Sequence, residues 1–152
     1  AFVEKDRVKI DKDKIRQLGL PPRGQIYQDA KEKGHLVFRG RKIMLEEIAR
    51  GEKGKRVVYS GATLPTKNMV KLAEGADLLI HDSTFFSEDF SEDEGYRHAN
   101  FSDVLKIAEE ARVKEVILTH ISRRYQDTNE LKEKIEGMQN VRIAKDFMKV
   151  VI

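Results

Sequence analysis

Three residues of this chain have the type and setting for chemistry: Asp82, His98 and His120. His120 directly follows the β-branched run Val116-Ile117-Leu118-Thr119, which places an imidazole at the end of a buried strand. A neutral imidazole held that rigidly is a good zinc ligand, although a hydrogen-bonded structural histidine fits the same pattern. The chain has no Cys, so any metal must be held by His and carboxylates. Asp82 and His98 form a candidate pair. A carboxylate accepting from one ring nitrogen orients a histidine and raises its basicity, which leaves the other nitrogen to hand a proton to a leaving group. His81 falls on the opposite strand face from Asp82 and reads as structural, as does His35. Arg123 and Arg124 follow His120 and suit phosphates, while exposed arginines also occur without a specific task. No phosphate loop, dinucleotide fingerprint or nucleophile elbow is present.

The elements that must position these groups lie between Val57 and His120. A strand at Val57-Val58-Tyr59 runs into the turn Ser60-Gly61-Ala62-Thr63-Leu64-Pro65, where Gly61 provides an unusual backbone angle or a close approach. Thr66 caps a helix with Met69, Val70 and Ala73 on its apolar side, closed by Gly75. A second strand leads to His81 and Asp82, and an acidic loop from Ser87 to Glu94 precedes His98. Asn100 or Ser102 caps a helix in which Val104, Leu105, Ile107, Ala108 and Ala111 recur at helical spacing. Asp127 and Glu130 resemble a capping box for a third helix. Two strands are predicted to finish the chain, Val141 to Ala144 and Phe147 to Ile152, with a turn at Lys145-Asp146.

Upstream, Asp13 to Leu18 reads as a short helix, halted by Gly19-Leu20-Pro21-Pro22-Arg23-Gly24. His35 to Phe38 and Lys42 to Leu45 read as a hairpin around Arg39-Gly40-Arg41, and Glu46 to Ala49 as one helical turn. Residues 1–55 are accordingly expected to form an arm-like extension with a hairpin, and residues 56–152 an α/β layered domain. The strands at 77–81 and 115–119 are apolar on both faces, so both faces need covering and the chain is expected to need a second half.

With 152 residues, 39% hydrophobic and 36% charged, the chain is globular with a heavily charged surface. No apolar run approaches the length of a membrane span and the first residues do not read as a signal peptide, so a cytoplasmic protein is expected. The net charge of +3 is small, but basic residues cluster at Arg39-Gly40-Arg41-Lys42 and Lys53-Gly54-Lys55-Arg56. A basic stretch beside a polar site suits a polyanion such as RNA, and it equally suits ordinary solvated surface.

At these residues the sequence resembles ribonuclease Z, the tRNA 3′-processing endonuclease family of the metallo-β-lactamase superfamily. The likeness rests on Gly19-Leu20-Pro21-Pro22, the Ser60-Gly61-x-Thr63-x-Pro65 turn, Leu72 to His81, the His98 loop, Ile117-Leu118-Thr119-His120-Ile121-Ser122-x-Arg124-Tyr125, and the closing Ala144-Lys145-Asp146-Phe147-Met148. It implies half of an αββα sandwich, namely the C-terminal half, with a mixed sheet covered by helices. It also implies two zinc ions per complete site, a homodimer and a precursor tRNA substrate whose 3′ trailer is removed. By the same resemblance His120 matches the family's late zinc-ligating histidine. Asp82 stands where the family usually has the glutamate of an HEAT-like motif, and His98 stands where it has the histidine acting with that carboxylate. The segment bearing Arg23 resembles part of the tRNA-gripping arm.

Two departures from the family pattern stand out. The His-x-His-x-Asp-His motif is absent, and the zinc-bridging aspartate of the Ser-Gly-Asp-Thr turn is replaced by Ala62, which has no donor atom. The chain alone is therefore expected to be inactive and to need a partner carrying the missing N-terminal ligands. A non-catalytic RNA-binding or assembly module with a degenerate metal site is the competing expectation, and another phosphodiesterase of the same superfamily a third.

Overall fold

The computed structural model describes residues 1–86, 98–125 and 128–152. The chain divides into two compact units, one of residues 1–4 and 55–152, the other of residues 5–54.

The larger unit is built on a five-stranded sheet of β1 (Phe2–Val3), β6 (Arg56–Tyr59), β7 (Leu78–Asp82), β8 (Glu115–Thr119) and β9 (Val141–Ile143), adjacent in that order. The first pair is antiparallel and the other three are parallel, which makes the sheet mixed, as expected. The parallel strands are joined by α4 (Lys67–Ala73), α5 (Phe101–Glu110) and α6 (Thr128–Lys134). All three crossovers step across the sheet in the same direction, so their right-handedness places all three helices on one face. One core cluster contains residues from all of them, with Ala73, Val104 and Leu131 packed with Val58, Leu79, Val116, Leu118 and Val141 of the strands.

The alternate strand positions turn to the opposite face, for which the described residues of the larger unit supply no helix. Leu78 and Ile117 are buried there, yet Phe2 and Tyr59 keep 67% and 64% of their surface exposed. Polar caps fix the helix starts. Thr66 Oγ1 accepts from Met69 N at 3.1 Å, and Asn100 Oδ1 accepts from Asp103 N at 2.8 Å, so Asn100 is the cap and Ser102 merely donates to it. The capping box expected at Asp127, like the acidic stretch from Ser87 to Glu94, falls outside the described residues.

The strand expected over Phe147 to Ile152 is absent. The chain turns instead at Lys145–Met148, where Met148 N donates to Lys145 O at 3.0 Å. Phe147 takes a left-handed φ of 62° with its side chain fully exposed. A β-type run forms a strand only when a neighbouring edge and an apolar layer receive it, and the turn leads these residues away from β9.

In the smaller unit, β2 (Arg7–Ile10) pairs with β5 (Ala49–Glu52), and β3 (His35–Phe38) with β4 (Arg41–Met44). α1 (Lys12–Gln17), α2 (Ile26–Lys33) and α3 (Leu45–Ile48) complete it. The hairpin turn is Arg39-Gly40, both with positive φ, the conformation that matches strand twist. Ile15, Leu20, Tyr27, Ala30, Leu36, Ile43 and Ile48 form a separate core. The arm-like extension expected over residues 1–55 included no helix at α2, whose signals are Tyr27 and Ala30 on one side and Gly34 closing the helix at φ 75°.

Candidate active site

Parallel strands deliver their C-terminal ends to one edge of a sheet, and ligands of open α/β sheets bind outside that edge. Here β6 ends in the Ser60–Thr63 turn, β7 ends at Asp82 and β8 ends one residue before His120, with Asp82 in register with Thr119. The ends are laced together. Asp82 N donates to Ser60 Oγ at 3.0 Å, Ser83 N to Thr119 O at 2.9 Å, and Ser122 N to Thr84 O at 3.1 Å. Gly61 holds φ 66° with open space where a Cβ would stand, so its role is the backbone angle rather than a close approach. His120 also takes a positive φ, 59°, which turns the chain sharply off β8 at the imidazole.

Asp82 is the hub. Its side chain is fully buried, and its carboxylate accepts four hydrogen bonds. Oδ1 takes Thr84 N at 3.0 Å and Thr84 Oγ1 at 2.6 Å, while Oδ2 takes Thr63 N at 3.1 Å and His98 Nδ1 at 2.8 Å. A buried carboxylate needs this many partners to offset its desolvation. His98 Nδ1 thus meets Asp82, as the pairing of these residues anticipated. His120 joins the same cluster, its Nδ1 2.9 Å from Thr84 Oγ1. The His98 and His120 rings stack with centroids 4.8 Å apart and planes 19° from parallel. The edge of Phe85 faces His98 at 6.4 Å between centroids. Thr84 was not foreseen; only its place two residues beyond Asp82 could have marked it.

His81 is buried and faces away from this cluster. Its Nδ1 lies 2.8 Å from Asp82 O, and burial lowers its pKa below the ordinary histidine value. Arg123 and Arg124 are exposed beyond His120, and Arg123 lines a surface depression of about 460 Å³ with Ser122 and Tyr125. Arg23 lies in the smaller unit, where it borders a cavity of about 420 Å³ with Lys12, Arg16, Ile15, Leu20 and Pro22.

Among the described residues, Asp82, His98 and His120 are the group whose ligand atoms, within 4.8 Å of one another, suit a metal ion. Both Asp82 oxygens are already committed to donors, and Ala62 is exposed with no donor to offer. The Nε2 atoms of the two histidines are what remain, so the residues present fit part of a metal's shell.

The model of the beta-lactamase superfamily domain matches residues 46–121, half of the chain. The chain belongs to the beta-lactamase superfamily. Within that superfamily it is similar to ribonuclease Z, as its motifs implied. It is 39% identical to the ribonuclease Z of Archaeoglobus fulgidus over 100% of this chain and 51% of the relative. It is also 39% identical to that of Saccharolobus solfataricus over 85% of this chain and 43% of the relative. The chain therefore spans about half the length of the curated relatives it matches. A solved metallo-beta-lactamase fold protein, YhfI from Bacillus subtilis, superposes with a TM-score of 0.50 at 27% identity, covering 64% of this chain and 40% of that one. No helix among the described residues is long and apolar enough to cross a membrane.

Proposed function

We propose that this chain is the C-terminal half of a zinc-dependent ribonuclease Z-type endonuclease that removes the 3′ trailer of precursor tRNA. The observation that carries the reading is the contact of Asp82 with His98 at 2.8 Å beside the stacked ring of His120. The relatives named ribonuclease Z support the substrate class.

In this reading Asp82 and His98 form the proton-transfer pair and His120 is the metal-facing residue. Zinc, when bound, supplies an activated water at neutral pH. Asp82 accepts the His98 Nδ1–H and fixes the ring, and His98 in its imidazolium form delivers the Nε2 proton to the departing ribose oxygen. Arg23, Arg123 and Arg124 contact the RNA backbone.

A single histidine ligand is far short of the shell that two zinc ions need. The remaining ligands come from an N-terminal half, whose sheet covers the helix-free face bearing Phe2 and Tyr59. The complete enzyme is a cytoplasmic homodimer. Ala62 offers no bridge between two metals, and that favours, as a second reading, a chain that binds RNA without cutting it.

The test is cleavage of a 3′-extended precursor tRNA with zinc by this chain, alone and with a separately supplied N-terminal half, with Ala62 or with Ala62→Asp. Cleavage that needs the partner and rises with Ala62→Asp supports the enzyme. RNA binding without cleavage in every combination supports the binding module, and cleavage by the chain alone overturns the account of the missing ligands.

A further inference from the structure

We infer that Thr84 is a positioning residue that sets the tautomer of His120, so that one buried carboxylate orients both imidazoles of the site. The inference deepens the reading of His120 as the metal-facing residue and rests on it for its functional meaning.

The direction of each hydrogen bond follows from what each group can give. The Asp82 carboxylate, carrying four donors, only accepts. Thr84 Oγ1 lies 2.6 Å from Asp82 Oδ1, so the single hydroxyl proton of Thr84 is spent on that oxygen. Toward His120 Nδ1, at 2.9 Å, the hydroxyl can then only accept. His120 Nδ1 must therefore carry a proton, and in the neutral ring the lone pair resides on Nε2. Asp82 cannot impose this directly, since its Oδ1 is 3.9 Å from His120 Nδ1, beyond hydrogen-bond reach. His98 receives the same instruction without a relay, through Nδ1 on Oδ2. No described residue engages Nε2 of either ring, so both rings present that atom for work outside the cluster.

Thr84 is well placed to hold the relay. It is buried, and its own backbone N–H binds the carboxylate oxygen that its hydroxyl binds, closing a tight loop on Asp82. Its carbonyl receives Ser122 N, which ties it to the chain two residues beyond His120. Partners of this kind behind a ligating histidine fix its tautomer and raise its basicity.

The experiment is nitrogen-15 NMR of the imidazoles of this chain, free of metal and RNA, at a pH raised until the imidazole signals no longer change. His120 is expected in the Nδ1–H form. Thr84→Val, which keeps the shape and removes the hydroxyl, is expected to abolish that form as the majority species, while Thr84→Ser restores it and His98 stays Nδ1–H in all three proteins. An Nε2–H His120 in the parent chain overturns the inference without any variant, so a failure of Thr84→Val to fold does not shelter it. So does a Thr84→Val chain whose His120 is unchanged. The readout involves neither cleavage nor metal, so a failed cleavage assay leaves it standing, and its own failure leaves the outcome of the cleavage assay untouched.

Discussion

The imidazoles of His98 and His120 lie 4.8 Å apart at 19° from parallel, each with its Nδ1 turned to the Asp82 and Thr84 cluster. One buried carboxylate holds both rings, His98 directly and His120 through the Thr84 hydroxyl.

The carboxylate beneath the stack is the most sensitive atom group. Asp82→Asn keeps the shape but replaces one accepting oxygen with an amide that donates, which sets donor against donor in a fully buried place. A loss of stability of about 1–3 kcal/mol is expected in urea unfolding. On the proposed function, tRNA cleavage by the two halves together is expected to fall by about 100-fold or more as His98 loses its orienting partner. Unchanged stability would mean that the four donors find other partners.

His81 gives the fold a pH dependence near neutrality. Burial, the leading cause, holds its pKa below the ordinary 6.5, against the opposing pull of the Asp82 carbonyl. The folded chain then resists a proton that the unfolded chain accepts. Its contribution is fully present above 6.5 and is lost as pH falls from there through the folded value. His81→Gln is expected to show a shallower loss of stability as pH falls below 6.5. Denaturation midpoints of the two proteins across that range decide it, and parallel curves would remove His81 as the source.

Gly61 offers a cleaner energetic measure, because a Cβ there meets nothing within 4 Å while φ is 66°. Gly61→Ala therefore isolates the cost of the left-handed backbone, about 1–2 kcal/mol by urea unfolding. A larger loss would reveal that the turn moves and carries Thr63 N away from Asp82 Oδ2, now 3.1 Å distant.

Where periodicity and capping act locally, the sequence was transparent. The strands ending at Tyr59 and Thr119, the cap at Thr66 and the hairpin around Arg39-Gly40 appear as read, while the strand read over 77–81 spans Leu78–Asp82, the hairpin's second strand starts one residue earlier, and of Asn100 and Ser102 it is Asn100 that caps. Distant pairing was opaque. β2 finds β5 across some forty residues, and neither strand is long or apolar enough to announce itself. The tail failed for the converse reason: Phe147 to Ile152 has strand residues, but the turn at Lys145–Met148 carries them away from the open edge of β9. In the candidate site, Asp82 and His120 were legible from residue type and strand ends, and His98 from residue type alone. Thr84 was not, because a threonine's role depends on which two groups its one hydroxyl joins.

The arginines beyond His120 supply the last prediction. Arg123 is exposed beside the site, whereas Arg23 stands in the smaller unit next to Lys12 and Arg16. If each meets a phosphate of the RNA, its removal weakens binding uniformly across sequences and lowers the salt slope by about one for each phosphate no longer neutralised. Arg123→Ala and Arg23→Ala are therefore expected to reduce tRNA affinity with shallower salt dependence, measured by filter binding over a range of potassium chloride. Loss of affinity with an unchanged slope would instead assign the arginine a packing role. An Arg23→Ala chain that binds as the parent does would separate the smaller unit from the RNA altogether.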